Sequence, residues 1–179
     1  MNVRIIKKTE RPAMDIRLAS ASDLSAICEI YNAAVATRLA TADTTHLDED
    51  AFVEILENSD PSRRPIWVAE TEGAVHAYLQ LRDFHGRPGY ERTATLSFYV
   101  HPDWHRRGIA TRLVEHALTE SSSLNMRTLL ALVFAHNIPS LTLLRVFGFE
   151  QWGLLKEVAD LDDQRCDLVI LGRVIQPDI

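Results

Sequence analysis

The stretch Phe98-Tyr99-Val100-His101-Pro102-Asp103-Trp104-His105-Arg106-Arg107-Gly108-Ile109-Ala110 constrains this chain more than any other. Its leading part, Thr93 to Val100, is rich in β-branched and aromatic residues and reads as a strand. Behind it, Leu113, Val114, Ala117 and Leu118 give one apolar face to a helix over Gly108 to about Ser122. The strand must hand over to the helix within a short loop, and that loop carries two arginines and a glycine. A helix N-terminus exposes unpaired amide N–H groups and a partial positive charge, so it is a ready anion site. Gly108 lets a phosphate approach the backbone with no side chain in the way, Ala110 is nearly as small, and Arg106 and Arg107 add charge. The same letters also suit a surface turn with two solvated arginines. A Walker loop is excluded by the missing Gly-Lys-Ser/Thr ending, and a dinucleotide fingerprint by the presence of one glycine of three.

The remaining pattern surrounds this unit with one layered domain. Met14 to Leu18 alternates as a strand, and Ala21 to about Arg38 is amphipathic at helical spacing behind Ser20 and Asp23, a variant capping box. A short helix over Asp48 to Glu57 and a hairpin of Ile66–Glu70 and Ala74–Leu81 about Thr71-Glu72-Gly73 follow. After the central strand and helix come a buried strand over Thr128–Phe134, a helix from Pro139 to Phe147 stopped by Gly148, and a last strand over Asp167–Val174. With one further strand counted before the last, the order β, α, α, β, β, β, α, β, α, β, β implies an α+β, mixed α/β layered fold with helices covering a central sheet. With 179 residues, the expected organisation is a flexible basic tail over 1–13, one domain over 14–175 and a short tail over 176–179.

Composition narrows the function classes. A net charge of −6 is wrong for tight nucleic-acid binding, and no apolar run is long enough to span a bilayer. Cys28 and Cys166 are far apart with no metal-ligand spacing, which fits a reducing, cytoplasmic setting. No metal is implied, because the seven histidines form no pair at ligand spacing beside Cys or carboxylates.

The strand–loop–helix resembles motif A of the GNAT acetyltransferases, Gln/Arg-x-x-Gly-x-Gly/Ala, which falls here on His105, Gly108 and Ala110. Asn137-Ile138-Pro139-Ser140 followed by Phe147-Gly148-Phe149 resembles motif B. Ile30-Tyr31-Asn32, the segment Phe84, Arg87, Pro88, Tyr90 and Thr93, the run Ser97 to Pro102, and the elements Lys156-Glu157-Val158 and Asp167-Leu168-Val169 are similar to the phosphinothricin N-acetyltransferase-like branch. The resemblance implies a GNAT fold with a mostly antiparallel sheet, a splayed strand pair, acetyl-CoA as co-substrate and a homodimer. Phe98, Tyr99 and Val100 would line the pantetheine through backbone groups. Arg106, Arg107, Gly108, Ile109, Ala110 and Thr111 would cradle the pyrophosphate, and Asn137 and Ser140 would meet the far side. Tyr31, Arg82, Arg87 and Thr95 would face the acceptor, the primary amine of a small molecule such as an amino acid or its analogue. A peptide or polyamine acceptor, and a non-catalytic acetyl-CoA-binding module, stand as alternatives.

The acid–base groups depart from that pattern. Thr95 stands where the branch places a Glu, and Leu144 where relatives place a Tyr or His. A threonine is no base near neutral pH. The proton could leave through a water relay, or through His136, His76 or Glu91. A backbone amide near Val100 would stabilise the oxyanion. The run Asp160-Leu161-Asp162-Asp163 is expected at a solvated hairpin tip, or at the acceptor mouth where it would favour a cation.

Overall fold

The computed structural model describes residues 14–175. The tails expected over 1–13 and 176–179 lie outside the described residues. The elements are β1 (Asp15–Leu18), α1 (Leu24–Thr37), α2 (Glu49–Glu57), β2 (Ile66–Thr71), β3 (Ala74–Asp83), β4 (Thr93–Val100), α3 (Ile109–Ser121), β5 (Thr128–Phe134), α4 (Ile138–Val146), β6 (Glu150–Leu161) and β7 (Gln164–Val174). They form the expected layered α+β architecture, a seven-stranded sheet in the order β1-β2-β3-β4-β5-β7-β6. Among the described residues no helix is long and apolar enough to cross a membrane.

Local chemistry explains the boundaries. The helix expected from Ala21 begins as a 3-10 turn over Ala21–Asp23 before α1 takes over at Leu24. There the Ser20 N–H donates to the Asp23 carboxylate at 2.8 Å, and Arg17 grips the same carboxylate at 2.7 and 2.8 Å. This pins β1 to the start of α1. Asp48 accepts from the Ala51 N–H at the start of α2. The β2–β3 turn places Glu72 and Gly73 at φ 54° and 81°, the left-handed pair that suits a two-residue hairpin.

Two cores lie on opposite faces of the sheet. Ala77, Leu79, Leu81, Ala94 and Leu96 of β3 and β4 meet Leu113, Val114 and Ala117 of α3 on one face. On the other, Tyr78 and Tyr99 meet Ile27, Cys28 and Ile30 of α1 and Phe52 of α2. Cys28 is a buried, unpaired thiol packed in this second core. Leu144 is fully buried in the first core, so that position serves packing.

The sheet is antiparallel except between β4 and β5, which run parallel. They pair only at Thr93–Thr95 with Thr128–Leu130 and then part. Beyond that point β4 stays paired to β3 as far as Val100, and β5 to β7 as far as Phe134. Two half-sheets therefore diverge from a common root.

Asp23 is 4% exposed and its partner Arg17 is also bound to Glu70. Replacing Asp23 by Ala leaves Arg17 under-paired and frees the start of α1. A loss of about 2 kcal/mol in unfolding free energy is expected in a denaturant titration.

Candidate functional site

The divergence of β4 from β5 opens a cleft of about 480 Å³. It is bounded by the end of β4, the start of α3, the start of α4 and the C-terminal half of α1. Phe98, Tyr99, Val100, Arg106, Gly108, Ile109, Ala110, Thr111, Asn137 and Ser140, singled out from the sequence, all line it. Arg107 does not. It donates to the Asp103 carbonyl at 3.0 Å and its guanidinium lies 4.4 Å from the Trp104 ring centre.

The strand wall is polar because of its phase. The His101 N–H donates to the His76 carbonyl at 2.8 Å, so alternation turns the peptide groups of Tyr99 and Ser97 toward β3. Those of Phe98 and Val100 are left facing the gap where β5 has moved away. His105 confirms this phase, since its Nε2 lies 2.9 Å from the Val100 carbonyl. A carbonyl only accepts, so the imidazole carries its proton on Nε2.

The floor is the N-terminus of α3. Its first intrahelical amide bond runs from Arg112 N–H to Gly108 O at 3.1 Å, leaving the amides of Ile109, Ala110 and Thr111 without carbonyls inside the helix. Arg106 and Gly108 both adopt left-handed backbone, at φ 59° and 79°. An added Cβ at Gly108 would meet nothing within 4 Å, so the backbone angle, not crowding, calls for glycine.

The far wall is bolted across the gap. Asn137 is 6% exposed, and both ends of its amide are committed. Nδ2 donates to the Leu39 carbonyl at 3.1 Å and Oδ1 accepts from the Ser140 N–H at 3.2 Å, capping α4. Beside it His136 Nε2 meets the Arg38 carbonyl at 3.0 Å, and Arg38 pairs with Asp162 at 3.0 Å.

These bonds place the remaining sequence candidates. His136 does not line the cleft; it faces the hollow formed with Arg38 and the β6–β7 turn. The acidic run Asp160–Asp163 sits at that turn and contributes no wall to the cleft. Glu91 is exposed, ion-pairs with Arg63 at 3.5 Å, and lies before β4 outside the cleft. Arg87 is exposed in the loop after β3, also outside it. His76 stacks on Trp104 with ring centres 3.4 Å apart, and its Nε2 is buried without a partner. Burial first, then the fields of His101 and Arg107, push its pKa below 6.5. Thr95 donates from its hydroxyl to the Arg82 carbonyl at 3.3 Å.

Tyr31 and Tyr99 meet edge to face at 5.0 Å, beneath the cleft on the α1 side. The Tyr31 hydroxyl donates to Asp43 and lies 2.6 Å from the Thr41 hydroxyl. Burial, then the Asp43 bond, push its pKa up to about 12, so the phenol keeps its proton. Trp104, Ala33, Ala34 and Thr37 line the cleft without having been singled out from the sequence. The signal available for the alanines was the switch from Ile27, Ile30 and Tyr31 to small residues along α1. Among the described residues no three His, Cys, Asp or Glu side chains are placed to hold a metal.

A sheet parted around a cleft that ends on a helix N-terminus defines an acyltransferase architecture. The chain matches the acetyltransferase (GNAT) family over residues 27–149 and belongs to it. It is 40% identical over 161 residues to the protein of Bacillus subtilis provisionally named phosphinothricin acetyltransferase YwnH, covering 89% of this chain and 98% of that one. It is 28% identical to the L-amino acid N-acyltransferase MnaT of Escherichia coli, over 88% of this chain and 92% of that one. The crystal structure of a GNAT superfamily phosphinothricin acetyltransferase from Sinorhizobium meliloti in complex with acetyl-CoA superposes with a TM-score of 0.86 at 28% identity, covering 90% of this chain and 88% of that one.

Because the unfolded chain protonates His76 near pH 6.5 and the folded chain resists it, folding stability is full above that pH. It falls as the pH drops below 6.5 toward the lower folded value. Thermal melts across that window should show the loss in the wild type and a flatter profile in His76→Phe.

Proposed function

We propose that the protein moves the acetyl group of acetyl-CoA directly to the primary amine of a small molecule, an amino acid or an analogue such as phosphinothricin. The cleft where β4 and β5 part carries this reading. Its free strand peptides suit the two amides of a pantetheine arm, and its helix N-terminus suits a pyrophosphate. Arg106, Gly108, Ile109, Ala110 and Thr111 cradle that pyrophosphate, and Phe98 and Val100 hold the arm through their peptide groups, while Tyr99, whose peptide pairs with β3 and not with the arm as the resemblance implied, only borders it. Ser140 and Asn137 border the opposite wall, with Asn137 acting through the bolt to Leu39. Arg107 braces the loop through Trp104.

The thioester supplies the acyl group when bound. An ammonium acceptor must lose a proton, its nitrogen forms the C–N bond as the C–S bond breaks and gives up a second proton, and the leaving thiolate takes up one, so one proton is released overall. The titratable side chains lining the cleft are Tyr99, His105 and Arg106. Burial, foremost, pushes the Tyr99 pKa above its ordinary value, and His105 donates its Nε2–H to the Val100 carbonyl, which leaves Nδ1 as its one lone pair. With Thr95 and Leu144 at the two familiar positions, the amine proton leaves to water. The Val100 amide is the oxyanion donor, Tyr31 and Thr95 face the acceptor, and Arg87 borders its approach. Arg82, expected beside them from the sequence, lines a separate hollow beside α2 instead.

A homodimer in the cytoplasm completes the proposal. The edge strand β6 leaves Trp152, Leu154, Leu155 and Val158 exposed, an apolar strip that a second copy would cover.

Calorimetric titration with acetyl-CoA tests the donor site. Wild-type protein should bind one equivalent per chain, and Gly108→Glu should lose binding by at least about 100-fold, since a carboxylate then meets the pyrophosphate. A folded wild type that does not bind overturns the reading. With phosphinothricin as acceptor, kcat/KM should rise with pH until the amine's own pKa is reached, because water takes the proton. A plateau near pH 7 would assign a protein group instead.

A further inference from the structure

A second hollow, of about 290 Å³, lies between the end of α2 and β3 and shares no lining residue with the cofactor cleft. Strand phase makes it polar. Leu79 and Leu81 of β3 turn to the α3 core, so Tyr78, Gln80 and Arg82 turn to the side of α1 and α2. Tyr78 is covered there by the core that contains Phe52 of α2. Where α2 ends at Glu57, a recess remains over Gln80 and Arg82, with Ile55 and Ile66 as its apolar lining.

Gln80 is 4% exposed, yet its carboxamide has no hydrogen-bond partner among the described residues. A buried amide in that state destabilises a fold, and a leucine of similar size would not. The Arg82 guanidinium, at the mouth, likewise has no ion pair or hydrogen bond among the described residues. Arg64 provides the contrast. It is 7% exposed and commits its guanidinium to Asp83 at 2.7 Å and to the carbonyls of Glu91 and Arg63 at 2.8 and 2.9 Å. Arg64 and Asp83 thus neutralise each other and form a wall.

Gln80 and Arg82 stand two residues apart on one face, so carboxamide and guanidinium N–H groups converge on a single oxyanion. The remaining charges limit which one. Arg82 matches one negative charge, whereas Glu54, exposed on α2 at the rim, and Asp83 repel a second. The two isoleucines favour an aliphatic body on that anion.

We propose that this hollow is a second ligand site, taking a small aliphatic monocarboxylate whose oxygens accept from Gln80 and Arg82 while its hydrocarbon lies on Ile55 and Ile66. The site stands apart from the acetyl-transfer reading and does not depend on it.

NMR titration of the full chain with 4-methylpentanoate tests this. Saturable shifts at the Gln80 side-chain amide are expected in the wild type. The alcohol of the same carbon skeleton, succinate and inorganic phosphate should each bind at least about tenfold more weakly. Gln80→Leu and Arg82→Gln should each weaken the carboxylate about tenfold. Gln80→Leu should keep or raise the melting temperature, because it removes an unpartnered buried amide, and acetyl-CoA affinity should not change. Arg82 is exposed, so Arg82→Gln still decides the matter if Gln80→Leu fails to fold. Absence of saturable binding to the wild type overturns the proposal and leaves Gln80 to water. Binding that survives Arg82→Gln, or alcohol and phosphate that bind as well as the carboxylate, overturns it too.

Discussion

The parting of β4 from β5 is the constraint on which the rest of this protein depends. A parallel pair that stayed zipped would spend its peptide groups on itself and leave no cleft. Here pairing stops after Thr95 and Leu130. Each strand keeps its antiparallel neighbour, so the strands do not fray, and only the two edges facing one another are released. The released peptide groups of Phe98 and the N–H of Val100 face the gap and need a ligand or water, because buried backbone groups left unpaired are costly, whereas the Val100 carbonyl is taken by His105.

Such a wedge would close or drift without a brace at its wide end. The brace consists of His136 and Asn137 from the β5 side, bonded to the Arg38 and Leu39 carbonyls at the end of α1, with the Arg38–Asp162 pair alongside. A helix C-terminus leaves carbonyls unsatisfied, so it offers acceptors where the brace needs them. The exposed ion pair contributes little by itself, whereas the buried Asn137 amide fixes α4, α1 and the cleft wall together. His136 and Asn137, adjacent in sequence and plausible as site residues, thus do their work largely by holding the gap open.

The start of α3 shows the same division of work. Trp104 lies between His76 of β3 and Arg107, and so positions the turn that leads into α3. Arg107 is used in that stack while its neighbour Arg106, in left-handed backbone, turns to the cleft. Two adjacent arginines with equal claims in the sequence are assigned different work by the backbone angles between them. His105 likewise serves the strand: its ring hydrogen-bonds the carbonyl of Val100, five residues earlier, tying loop to strand.

The sequence by itself determined the order and type of the elements, the helix opening at Gly108, the layered α+β fold class and the resemblance to acetyltransferases. Those depend on local period, capping and glycine placement, which are written in neighbouring residues. It also showed that Thr95 and Leu144 depart from the familiar acid–base positions, and Leu144 proves to be core. Only the tertiary structure decided which candidates share a space. His136, Glu91, Arg87 and Arg107 carry suitable chemistry but point elsewhere, whereas Trp104, Ala33, Ala34 and Thr37 enter the cleft on packing alone. The meeting of Tyr31 with Asp43 across a loop, and with Tyr99 of β4, could not be read from spacing, because it depends on how α1 lies against the sheet. Side-chain type is a property of the chain, but proximity between elements is a property of how their faces pack.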